Sequence, residues 1–197
     1  MTRCLILLLA AVCGICAAQE NPPVRLRGTV DTFVAPNLVI QERDGRTIAL
    51  ILPQTTGIAE VIASDITAIQ PGSFVGAAAL PRADGRLQAL EVVVFPEVAR
   101  GSGEGHFQWD LQPESSMTNA TVTELVRSSE GRTLTLRYRN GAQKMLVPDG
   151  VPVVTLGPGS DALIVPGAKV FIVAEPERDQ LIVRRLLIGR KGLQPPM

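Results

Sequence analysis

The feature that most constrains this chain is a repeat inside it. Gly28-Thr29-Val30 matches Ala120-Thr121-Val122, Asp44-Gly45 matches Asn140-Gly141, Pro53 matches Pro148, and Pro71-Gly72 matches Pro166-Gly167. The offsets are 92, 96, 95 and 95 residues. A nearly constant spacing over four separate landmarks is what a duplication leaves, so the two halves should share one fold. Asp44-Gly45-Arg46-Thr47 also matches Glu130-Gly131-Arg132-Thr133, but that pairing needs an offset of 86, breaks the later register and is rejected.

Between the landmarks the sequence has strand periodicity. Leu134, Leu136 and Tyr138 alternate with Thr133, Thr135, Arg137 and Arg139, and Ile48, Leu50 and Leu52 do likewise in the first copy. A period of two turns one face to a core and the other to solvent. The Asp-Gly and Asn-Gly dipeptides tolerate the positive φ of tight hairpins and predict one hairpin in each copy. In the opening strand the apolar series steps by three, from Val30 to Phe33 and from Val122 to Leu125, which predicts a bulge at the same point twice.

After the hairpins come two irregular connections, Pro53 to Pro71 and Pro148 to Pro166, then a fourth strand (Phe74 to Leu80, Lys169 to Ala174) and a fifth (Leu87 to Phe95, Leu181 to Gly189). Five strands with the long connection between the third and fourth is the order of an OB-like barrel. Pro152, Gly157, Pro158 and Gly159 exclude a helix from the second connection, which suits short strands or turns instead. The expected fold is therefore all-β, with two tandem small five-stranded OB-like barrels at residues 24–96 and 118–190. A Gly/Ser/Pro-rich linker at 97–117 joins them.

Ahead of the first copy, Arg3, the apolar run Leu5 to Ile15 and the small residues Cys16, Ala17 and Ala18 have the layout of a secretory leader. Cleavage is expected between Ala18 and Gln19, giving a signal peptide at 1–18 and a periplasmic, or alternatively secreted, protein. The run is too short to span a hydrocarbon core that needs roughly twenty residues. Cys4, Cys13 and Cys16 all fall in that leader, so the exported part has neither a disulfide nor a thiolate metal site. Ile15 before Cys16 and Val12 before Cys13 disfavour lipidation, which takes a small residue there.

Without Arg3 the exported part carries 18 basic and 19 acidic side chains, which argues against a general polyanion binder. Residues 19–117 hold seven basic and twelve acidic groups, and residues 118–197 eleven and seven, so the halves differ in sign. The cluster Arg184, Arg185, Arg190 and Lys191 is a candidate contact for an anionic partner, against the alternative of a charged strand edge that blocks edge pairing. Few aromatic residues are available for base stacking, so no nucleic acid partner is expected.

The paired Gly-Thr-Val and Ala-Thr-Val openings, the Asp-Gly and Asn-Gly hairpins and the Pro-Gly turns before strand four resemble an uncharacterised group of exported bacterial β-barrel domains of unknown function. The run Gly103-Glu104-Gly105-His106-Phe107-Gln108-Trp109-Asp110 resembles tandem members that carry the label "metal ABC transporter permease". A permease needs several membrane spans, and no segment after the leader supplies one. The resemblance covers most of residues 24–190 and implies fold and export rather than an activity.

Chemistry-bearing residues are few. His106, with Glu104 and Asp110, forms the candidate metal set, since imidazole and carboxylates suit several divalent ions. A zinc site draws on more His or Cys than this chain's single histidine, and the alternative is that Phe107 and Trp109 pack the linker onto a barrel. Ser115 and Ser116 lack a Gly-x-Ser-x-Gly elbow, and Glu175 and Glu177 flank Pro176 at a turn where solvation is the default. No catalytic residue and no cofactor is expected. The reading is a non-enzymatic envelope binding or interaction protein for an unknown protein or small ligand, with a periplasmic metal-handling accessory using His106 as the alternative.

Overall fold

The computed structural model describes residues 22–197; the Ala18–Gln19 junction lies outside them. The fold is all-β. The first half runs β1 (Val24–Val34), β2 (Asn37–Glu42), β3 (Thr47–Ile51), β4 (Gly57–Ala63), β5 (Phe74–Pro81) and β6 (Leu87–Val94). A short strand β7 (Gly105–Gln108) follows, then β8 (Ser116–Ser128), β9 (Gly131–Tyr138), β10 (Gly141–Val147), β11 (Val153–Pro158), β12 (Lys169–Glu177) and β13 (Gln180–Gly189). The connections hold β4 and β11, each followed by a single turn of 3-10 helix at Ile66–Ala68 and Asp161–Leu163.

One closed five-stranded barrel is built from β5, β6, β8, β9 and β10. Its antiparallel neighbours are β10-β9-β8-β5-β6, and the parallel pairs Met145↔Leu87 and Leu146↔Gln88 shut it. The strands β3-β2-β1-β12-β13 form a second cycle, closed by the parallel pair Ile182↔Ile51. Here the connectivity departs from one barrel per copy. β1 takes β12 of the second half as its partner, and β8 takes β5 of the first. Each cycle thus combines the first three strands of one half with the last two of the other. β4 and β11 pair with each other and with β13 and β6, so they join the two cycles into one sheet.

The bulges fall where the apolar spacing breaks. Register slips between Val30 and Thr32 in β1 and between Val122 and Glu124 in β8. A second pair of slips, opposite Ala78–Ala79 and Val173–Ala174, leaves Leu90 and Arg184 as extra residues and bends the fifth strands. Such bulges let strands curve around a narrow barrel. The hairpin after β2 places Gly45 at φ +88°. The second hairpin differs from its expected form, because its two-residue loop is Arg139-Asn140 and Gly141 already pairs with Tyr138.

Three apolar clusters result. Leu26, Ile40, Leu50, Ile172 and Leu186 fill the second cycle, with Ile164 from the turn after β11 at its edge. Val75, Val92, Leu134, Leu136 and Met145 fill the closed barrel, with Ile69 at its edge. The third lies between the cycles, where Val61, Val93, Val154, Phe171 and Leu187 bury the outer faces of their strands and Met197 packs against them. On β6, β12 and β13 these residues alternate with barrel-facing ones, so those strands carry buried apolar residues on both faces, as doubly covered strands do.

Candidate functional site

The third cluster does not close completely. It borders a cavity of about 320 Å³, walled by both cycles and by the segment between β6 and β8. Small residues leave this space: Gly57 and Ala59 on β4, Gly76 on β5 and Ala99 beyond β6 line it. At Gly76 a Cβ would stand 2.6 Å from Asn119 Oδ1 and 2.9 Å from Phe95 Cε2, so glycine is what lets the Phe95 ring lie down against the sheet. At Gly57 a Cβ would meet nothing within 4 Å.

Trp109 forms one wall, and the chain around it is tightly held. Its indole lies 6.2 Å from the Phe171 ring and 6.0 Å, edge on, from Phe107. The Arg25 guanidinium sits over it at 4.3 Å, and that of Arg27 lies 5.9 Å from the Trp109 ring and 5.2 Å from the Phe171 ring. Such contacts suit an arginine over an aromatic face. Asp110 fixes both arginines, accepting from Arg27 at 2.7 Å and facing Arg25 at 3.9 Å. The Ser115 hydroxyl lies 2.9 Å from the Trp109 carbonyl and 2.7 Å from that of Gln112, closing the turn behind the ring. The indole Nε1 itself is buried without a hydrogen-bond partner among the described residues.

The segment expected as a linker is therefore ordered, with a 3-10 turn at Glu97–Ala99 and β7 paired to β8 from Gly105↔Asn119 to Gln108↔Ser116. Trp109 packs against Phe171 of β12, the outcome weighed against the metal site. The three candidate ligands are spent separately. His106 Nδ1 meets Thr118 Oγ1 at 2.9 Å, and its ring stacks on Tyr138 at 6.3 Å. Partial burial holds its pKa below the usual histidine value. Glu104 accepts from the Arg139 backbone N–H at 2.8 Å, and Asp110 serves the arginines. No group of three or more His, Cys, Asp or Glu is arranged to hold a metal among the described residues.

The basic cluster is also divided. Arg184 donates to Glu175 at 2.6 Å and to Glu177, and Arg190 is held bidentate by Glu60 at 2.8 and 2.5 Å. Arg185 has no ion pair among the described residues and reaches the cavity, while Lys191 lies in a separate depression beside Arg190. Glu175 and Glu177 thus act as counter-ions to Arg184.

A residue not singled out from the sequence is Glu91, a carboxylate inside the apolar run Leu87–Val94. It is 5 % exposed, and its Oε1 has no partner. Burial pushes its pKa up to about 7, against the opposing pull of Arg27, Arg43 and a hydrogen bond from the Met197 backbone. The signal was in the sequence, as a lone acid among β-branched neighbours. No family model, curated protein or solved structure matches this chain.

Proposed function

We propose that the chain is an exported, non-enzymatic binding protein of the bacterial envelope, and that its ligand site is the cavity between the two cycles. The observation that carries this reading is the cavity itself. At about 320 Å³ it reaches the lower end of the range for small-molecule sites, and its walls are mainly aliphatic and aromatic with a few polar groups at the margin. The clamped Trp109 supports the reading, since a wall fixed by Arg25, Arg27 and Phe171 needs little ordering when a ligand arrives.

On this proposal the two cycles are OB-like barrels that arose by duplication and then exchanged their last two strands. The matching bulges and the order of strands one, two, three, five and four around each cycle support it. The leader residues support export to the periplasm, or alternatively secretion.

Trp109 is the single tryptophan of the chain and lines the cavity, so its emission reports occupancy. Small amphipathic compounds titrated into the wild type are expected to shift that emission saturably. Gly57→Leu places a side chain where a Cβ has open space, so the fold should persist while the shift weakens at least tenfold. Equal responses from wild type and Gly57→Leu would reject the cavity as the site.

A further inference from the structure

We infer that the ligand of this cavity is a small amphipathic anion, its apolar body along the aromatic wall and its acidic head at Arg185. This rests on the reading of the cavity as the ligand site. Among the described residues Arg185 has the one charged side chain lining it. Its neighbours on β13 and beyond have answered charges, Arg184 through Glu175 and Glu177 and Arg190 through Glu60. Arg185 makes neither an ion pair nor a side-chain hydrogen bond among the described residues, so its donors are free.

The placement of Arg185 has a structural cause. In β12 and β13 the register runs Val173↔Arg185 and then Ala174↔Val183, which leaves Arg184 as the extra residue of a bulge. The bulge turns Arg185 outward, away from the buried Val183 and Leu186, and beside Gly57 of β4, its parallel partner. The corresponding pair in β5 and β6 is Ala78↔Glu91, so the matching position in the other cycle is an acid. That acid is sealed between Arg27, Arg43 and Met197, whereas Arg185 opens onto the cavity. The pair is thus asymmetric, with the positive member left available.

The polar side chains Asn119 and Ser102 on the same walls are neutral. Asn119 at the opposite end spends its amide on the carbonyls of Ser102 and Gly103, at 3.4 and 3.0 Å. Among the polar side chains along the walls Arg185 alone carries a charge, and its guanidinium offers only donors. A ligand that answers Arg185 must bring acceptors, and a carboxylate or another acidic head group brings both charge and acceptor oxygens. A cationic amphiphile would leave Arg185 facing a like charge.

The test uses the full exported chain with decanoate, decanol and decylamine as probes, read by Trp109 emission and by calorimetry. Decanoate is expected to bind roughly ten- to hundred-fold more tightly than decanol, the range of a charge-assisted hydrogen bond, and decylamine more weakly than either. Arg185→Gln should bring decanoate down to the decanol level, Arg185→Lys should keep part of the difference, and Gly57→Leu should weaken both probes alike. Equal binding of decanoate and decanol to wild type, or no loss in Arg185→Gln, would overturn the assignment of charge while leaving the cavity as a site. Binding of no probe, or binding untouched by Gly57→Leu, would overturn the site as well.

Discussion

A carboxylate inside an apolar strand has to find a counter-charge or take up a proton. Glu91 does some of each, lying near Arg27 and Arg43 while burial dominates and lifts its pKa to about 7 from an ordinary value of 4.5. The folded state therefore holds the Glu91 proton more tightly than the unfolded state. This group's contribution to stability is fully present below about pH 4.5 and is lost as pH rises through 7. The difference corresponds to roughly 3 kcal/mol at most. Urea unfolding at pH 5 and pH 8 should show the wild type losing stability over that interval. Glu91→Gln, which keeps the shape and removes the charge, should lose much less. A variant with the same pH slope as the wild type would show that the two arginines carry more of the Glu91 charge than burial removes.

Strands were legible in the sequence because each carries its own instructions. Leu134 and Leu136 are fully buried while Arg137 is exposed, as a period of two requires. The three-residue steps at Val30 and Val122 mark real register slips. Less legible was the segment from Glu97 to Ser115, whose Gly, Ser and Pro content reads as a flexible connection. Its order comes from side chains distant in sequence, with Phe171, Arg25 and Arg27 around Trp109, and local composition does not encode such contacts. One glycine within a strand shows how tightly the sheet is drawn. A Cβ on Gly28 would lie 2.3 Å from the Gln41 carbonyl oxygen, a backbone atom with no room to retreat. Gly28→Val is expected to destabilise the protein by about 2 to 3 kcal/mol, as overpacking does, and thermal or urea unfolding measures it. A loss below about 0.5 kcal/mol would mean that β1 and β2 separate at little cost.

The partner of each first strand across the halves was not legible. Two halves with matching landmarks offer each fourth strand two first strands, that of its own half and that of the other, and no local residue distinguishes them. The chain uses the first strand of the other half, β1 with β12 and β8 with β5, an arrangement like an intramolecular domain swap. One consequence is that the closed barrel occupies a continuous stretch from Phe74 to Val147, whereas the second cycle needs both β1–β3 and β12–β13. An excised fragment of residues 68–153, which retains Ile69 and Val153 of that barrel's core, is expected to fold alone with reduced stability. Residues 22–67 should not fold by themselves. Dispersed amide resonances from the first fragment and collapsed ones from the second would bear this out; a disordered first fragment would show that the barrel depends on β4 and β11 beside it.

The discontinuous cycle also sets an order in time. A chain made from its N-terminus presents β1, β2 and β3 first, a three-stranded piece whose outer edges have no partner until β12 and β13 arrive. Bare strand edges invite pairing with other chains. The interval between making β3 and making β13 is therefore when this protein is most exposed to aggregation, and a helper that shields sheet edges during that interval would matter more to its yield than any gain in final stability.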